Sequence, residues 1–180
     1  MGTEERLLHD IKAGKREASR NLYDRYSGVA MSVCLRYMGN EEDARDVLQD
    51  AFVKIFTRIG EVRFNGEGTL KGWILKVTVN EALNALRHRV RFSDTDELPD
   101  VPEEEAPDVR NVPLEVLMQM IGDLPTGYRT VFNMFVLEQV SHKEIASQLG
   151  IKVSSSASQL LRARKMLAHK INEYVKRNGK

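Results

Sequence analysis

Cysteine is nearly missing: Cys34 is the only one in 180 residues. A lone cysteine excludes an intrachain disulfide and suits a reducing compartment. Flanked by Val33 and Leu35, it reads as a buried structural thiol. Aromatics are sparse, 7% with one Trp, which favours small helical domains over a sandwich or barrel. No stretch approaches the roughly 18 uncharged apolar residues that suggest a membrane span, so no direct membrane insertion is expected. The first dozen residues mix charged with apolar side chains and do not read as a secretory signal. The expected location is cytoplasmic. Strand-like alternation is absent. His9, His88, His142 and His169 have no metal-ligand spacing with one another or with Cys34. Nucleophile-elbow, Walker and Rossmann patterns are missing as well. No enzyme chemistry, no catalytic residue, no metal and no cofactor is expected.

Net charge is only +1, but the charge is segregated. Residues 94–108 hold eight acidic side chains and no basic one, together with Pro99, Pro102 and Pro107. Proline blocks helix continuation and like charges extend a chain. Residues 92–112 therefore read as an acidic, flexible linker between a domain at 1–91 and a second at 113–180. Residues 141–180 hold nine Lys or Arg against two Glu, a basic end suited to anions.

Both domains read as helical. Across residues 42–59 the apolar positions Ala44, Val47, Leu48, Ala51, Phe52, Ile55, Phe56 and Ile59 form a helical stripe. Asp43, Asp46, Asp50 and Lys54 fall opposite it. Asn40 is placed as the N-cap and Gly60 as the stop. Apolar spacing predicts further helices over 17–37 and 70–90, separated by a glycine-punctuated loop at 64–68. That loop is too short and too acidic to cradle a phosphate.

The second domain opens at Pro113, a favoured first helical position. Helices are predicted over 114–121 and 128–136. Ser141 followed by Glu144 forms a capping box, and Gly150 ends that short helix. A tight turn then leads to a long basic helix over 154–175, a helix-turn-helix pattern. The first residues of such a second helix sit nearest the base edges. Ser155, Ser158 and Gln159 are assigned to that position, with Gln159 favouring adenine. Arg162 and Lys165 are assigned to phosphate. By themselves these residues are compatible with a ligand-sensing DNA-binding regulator, or with a helical module that binds only protein.

Residues 43–56 resemble region 2.2 of the sigma-70 family. Residues 64–68 and 73–80 resemble regions 2.3 and 2.4. Leu124 and Pro125, Tyr128 and Arg129, and residues 141–150 and 158–164 resemble region 4. The order, the spacing and the linker resemble the extracytoplasmic-function (ECF) subgroup, which keeps only these two domains. The resemblance implies an all-α protein of two helical domains that binds core RNA polymerase and directs promoter-specific initiation. Asp46, Gln49 and Asp50 would meet the clamp helices of the beta-prime subunit. Phe64, Asn65, Gly66 and Asn80 would hold a flipped minus-ten base, while Arg87, Arg89 and Arg91 track the backbone. Phe64 also suits plain core packing. Region 4 would read the minus-thirty-five element and bind the beta flap. An anti-sigma factor is implied as a further partner. The chain departs from many relatives at Ser156, Ala157 and Gln159, where an apolar, a basic and often an Arg residue are usual.

Overall fold

The computed structural model describes residues 2–89, 92 and 105–178. Every regular element among them is helical, and the chain divides into two compact units, Met1–Leu86 and Arg87–Lys180.

The first unit contains α1 (Thr3–Lys12), α2 (Arg16–Met38), α3 (Glu41–Arg58) and, as far as Leu86, α4 (Thr69–Arg89). Their apolar stripes meet in one core of Leu8, Leu22, Tyr26, Ala30, Phe52, Ile55, Ile59, Val62, Leu70 and Ile74. Each large side chain buried there stabilises the unit by about 1.5–3 kcal/mol. Gly39 closes α2 in the left-handed conformation at φ 76°, its N–H donating to the Leu35 carbonyl. Asn40 then caps α3, its side-chain oxygen accepting from the Asp43 N–H at 2.9 Å. Gly60 does not stop α3. The helix tightens into a 3₁₀ turn at Ile59–Glu61, and the Val62 N–H closes onto the Ile59 carbonyl. Cys34 is buried, and that burial pushes its thiol up to about 12.

The second unit contains α5 (Leu114–Gly122), α6 (Thr126–Phe132), α7 (His142–Leu149) and α8 (Val153–Asn178). Its core joins Val112, Met120, Ile121, Leu124 and Tyr128 to Ala163, Leu167 and Ile171 of α8. Arg129 is buried and donates to the Gly122 and Leu124 carbonyls at 2.8 and 2.9 Å, which satisfies the end of α5. The helix predicted over 128–136 instead widens at Asn133–Leu137 into a π-helical turn. Gln139, between that turn and α7, takes a left-handed φ of 57°. No helix among the described residues is long and apolar enough to cross a membrane.

Candidate polymerase and nucleic-acid interfaces

On α3 Ala44, Val47, Ala51, Phe52 and Ile55 turn inward, Phe56 stays exposed, and Asp46, Gln49 and Asp50 are exposed as well. Beside them runs a shallow groove lined by Tyr23, Met31, Leu48, Phe52, Val53 and Phe56. The Phe52 ring meets Tyr23 edge-on at 4.7 Å and Phe56 at 5.9 Å. Polar, acidic and apolar surface thus adjoin on one helix.

The loop between the 3₁₀ turn and α4 is held by α1. Glu4 is only 3% exposed. Its carboxylate accepts from the N–H groups of Gly68, Leu70 and Lys71 at 2.9, 3.0 and 3.2 Å. The Tyr26 hydroxyl donates to it at 2.8 Å. It therefore caps the start of α4 from 65 or so positions away in sequence. In return Glu67 accepts from the Glu4 N–H at 3.2 Å, and Lys12 donates to the Val62 carbonyl at 2.8 Å. Burial raises the Glu4 pKa, but the Tyr26 hydroxyl and the three backbone N–H groups outweigh it, and the net shift is downward. The same contact and burial raise the Tyr26 hydroxyl. Gly66 and Gly68 take φ 120° and 91°, values that L side chains rarely adopt, so the loop shape depends on both.

Within this loop Asn65 is exposed, and Phe64 is half-buried against the first core. Val77, one turn before Asn80, packs against that same core, and Asn80 itself is exposed. Arg87 and Arg89 are exposed at the end of α4. Arg91 lies outside the described residues. Lys54 of α3 pairs with Glu81 of α4.

In the second unit the capping box forms as expected. The Ser141 hydroxyl accepts from the Glu144 N–H at 3.3 Å, and the Ser141 N–H donates to the Glu144 carboxylate at 3.1 Å. Gly150 sits at φ 69° and ends α7. The exposed face of α8 is not the one expected. Ser155 and Gln159 are buried, at 9% and 4% exposure. Gln159 points at α6, its Oε1 lying 2.9 Å from where a Cβ on Gly127 would stand. Ser156 is fully buried and hydrogen-bonds the His142 Nδ1 at 2.8 Å, while His142 stacks on Phe135. The reason is register. The core line Leu160, Ala163, Leu167 and Ile171 carries Ser155, Ser156 and Gln159 with it on its broad inner side. Ser158 is exposed as expected, and Lys165 is half-exposed. Arg162 is half-buried and donates to the Tyr128 hydroxyl at 3.3 Å. Two kinds of residue escaped the sequence reading. Glu4 is an acid whose partners are remote in sequence. Ala157 and Leu161 are outward residues without polar groups.

The chain matches the family model described as Sigma-70 region 2 over residues 22–92, and that of Sigma-70, region 4 over 114–167. It is 26% identical to the ECF RNA polymerase sigma-E factor of Haemophilus influenzae, covering 94% of this chain and 95% of that one. It is 24% identical to the RNA polymerase sigma-H factor of Pseudomonas aeruginosa, covering 91% of each. Among solved structures, the sigma factor RpoE of Bartonella quintana, in complex with the anti-sigma factor NepR, aligns with a TM-score of 0.48 and 17% identity over 86% of this chain and 96% of that one. The two matched segments together span more than half of the chain, and it belongs to the sigma-70 family of RNA polymerase factors, in the extracytoplasmic-function subgroup.

Proposed function

We propose that this sigma factor divides its work between the two units as follows. The exposed Asp46, Gln49 and Asp50 of α3 dock on the beta-prime clamp helices of core polymerase. Phe64, Asn65 and Gly66 hold an unstacked base of the minus-ten element together with Asn80. An aromatic face to stack on and an amide to read an edge are what an unstacked base needs. Arg87, Arg89 and Arg91 follow the phosphates. The outward side of α8, with Ser158 and Lys165, lies on the minus-thirty-five duplex, and Arg162 steadies that helix against Tyr128. The second unit also meets the beta flap. The protein acts in the cytoplasm as a binding factor without catalytic chemistry or cofactor, and an anti-sigma factor is its further partner. Ser155 and Gln159 are buried, and this reading gives them a packing role in place of a base contact.

One observation supports this reading above the others. The loop at 62–68 is pinned at both ends by α1 and shaped by two glycines at positive φ, an expense of structure that a plain connection between helices does not need. Permanganate footprinting of the open promoter complex tests it. Phe64→Ala is expected to lower strand opening more than duplex binding, because base stacking contributes about 1–3 kcal/mol. Asn80→Ala is expected to relax preference at one minus-ten position by about 1–3 kcal/mol if it makes a good base contact. Normal opening by both variants on every promoter would place the pocket elsewhere.

A further inference from the structure

On the first three turns of α8 the side chains left outside are Val153, Ser154, Ala157, Ser158 and Leu161. Their spacings of three and four residues put them along one strip. Val153 is 50% exposed and Leu161 56%. The long amide that could have reached a base edge, Gln159, is turned into the core. Arg162 is engaged by Tyr128. What faces outward at the start of the helix is therefore aliphatic surface with two hydroxyls between.

The charge around the strip identifies its occupant. From Val153 onward α8 holds no acidic residue before Glu173, and Lys152, Arg164 and Lys165 border the strip. A basic surround with an aliphatic centre fits a polyanion that offers apolar groups at the same depth. The major groove of duplex DNA does so, because thymine presents its C5-methyl group there among the donors and acceptors of the other base edges.

We infer that Ala157 and Leu161 are specificity-determining residues that read thymine methyl groups in the minus-thirty-five element, with Ser154 and Ser158 as adaptable hydroxyl contacts. This rests on the proposed placement of α8 on that element and names its chemistry. Recognition there depends on methyl contact and not on a forked hydrogen bond to guanine.

The test uses holoenzyme reconstituted with core polymerase. A preferred upstream element is first selected from randomised promoter duplexes. Each of its thymines, on either strand, is then replaced by deoxyuridine, which removes the methyl group alone. Binding is expected to weaken by about fourfold at one or two positions, the equivalent of one methyl group removed from water. Leu161→Ala or Ala157→Gly should bind thymine and deoxyuridine equally well at those positions. Leu161 is largely exposed, so Leu161→Ala should melt like the parent, and it carries the test if Ala157→Gly folds poorly. The inference is overturned if the selected element holds only G·C pairs, if deoxyuridine changes nothing, or if both variants keep the full methyl effect. Loss of core polymerase binding by Leu161→Ala, with no methyl effect in the parent, would assign the strip to a protein partner and also overturns it. Holoenzyme that selects no upstream element at all would refute the placement of α8 itself, a result distinct from insensitivity to the methyl group.

Discussion

Glu4 is the residue on which the shape of the first unit turns most sharply. Its carboxylate satisfies three N–H groups at the start of α4 and one hydroxyl from α2. Helix starts favour negative charge, and a buried donor left without an acceptor costs about 1–3 kcal/mol. Glu4→Ala is expected to destabilise the protein by about 3 kcal/mol, and Glu4→Gln, which keeps one acceptor oxygen, by roughly 1 kcal/mol; urea unfolding measures both. The pH dependence follows from the lowered pKa. A depressed carboxylate adds stability above its ordinary value of 4.5 and loses it as pH falls through the lower folded value. Melting curves between about pH 6 and pH 3 should therefore show less acid sensitivity for Glu4→Gln than for the parent. Gln159 presents the opposite lesson. Its polarity suggested the surface, yet it packs beside Gly127. Gln159→Ala should lower stability by about 1–2 kcal/mol and leave base preference along the minus-thirty-five element unchanged, as melting and single-base promoter variants would show.

At the scale of elements, α3 was the most legible. The buried line Ala44, Val47, Ala51, Phe52 and Ile55, the Asn cap and the exposed acids follow the spacing, while Phe56 stays exposed and Gly60 does not end the helix. Asn40→Ala should cost about 1 kcal/mol of stability, read from thermal unfolding. The exposed Asp46 and Asp50 permit a sharper test. Exchanging both for Arg should abolish capture of core polymerase in a pull-down while changing stability by less than about 0.5 kcal/mol. Undiminished capture would remove α3 from the docking surface. The helix-turn-helix was legible for the same local reasons, since a capping box and a left-handed glycine mark α7 at both ends. Two elements were not legible. Helix α1 is short and charge-rich, and what fixes it is a set of contacts to residues 62–71. The rotation of α8 is not legible in the sequence, because its polar residues imply exposure where the structure buries them. Ser155, Ser156 and Gln159 lie on the edge of a wide buried side, where Ser156 finds His142. Periodicity locates a helix well, but a face built of small and polar residues does not announce which way it points.

In the whole molecule, the proposed division of work rests on two helical units with different surfaces. The first offers an acidic and apolar helix face together with a braced loop; the second offers a basic helix with an aliphatic centre. The acidic segment at 94–108 separates these surfaces in sequence. Neither unit is assigned promoter selection alone, and this distinguishes the protein from a regulator that binds duplex DNA unaided. Transcription in vitro with purified core polymerase on a genomic library, with the starts sequenced, is the most direct test. A defined set of starts is expected that share two sequence blocks, near minus-ten and minus-thirty-five, and that vanish with the Asp46→Arg and Asp50→Arg variant. Tight sequence-specific binding by the protein without polymerase, or core polymerase that starts at the same sites whether or not the protein is present, would contradict the proposed division of work.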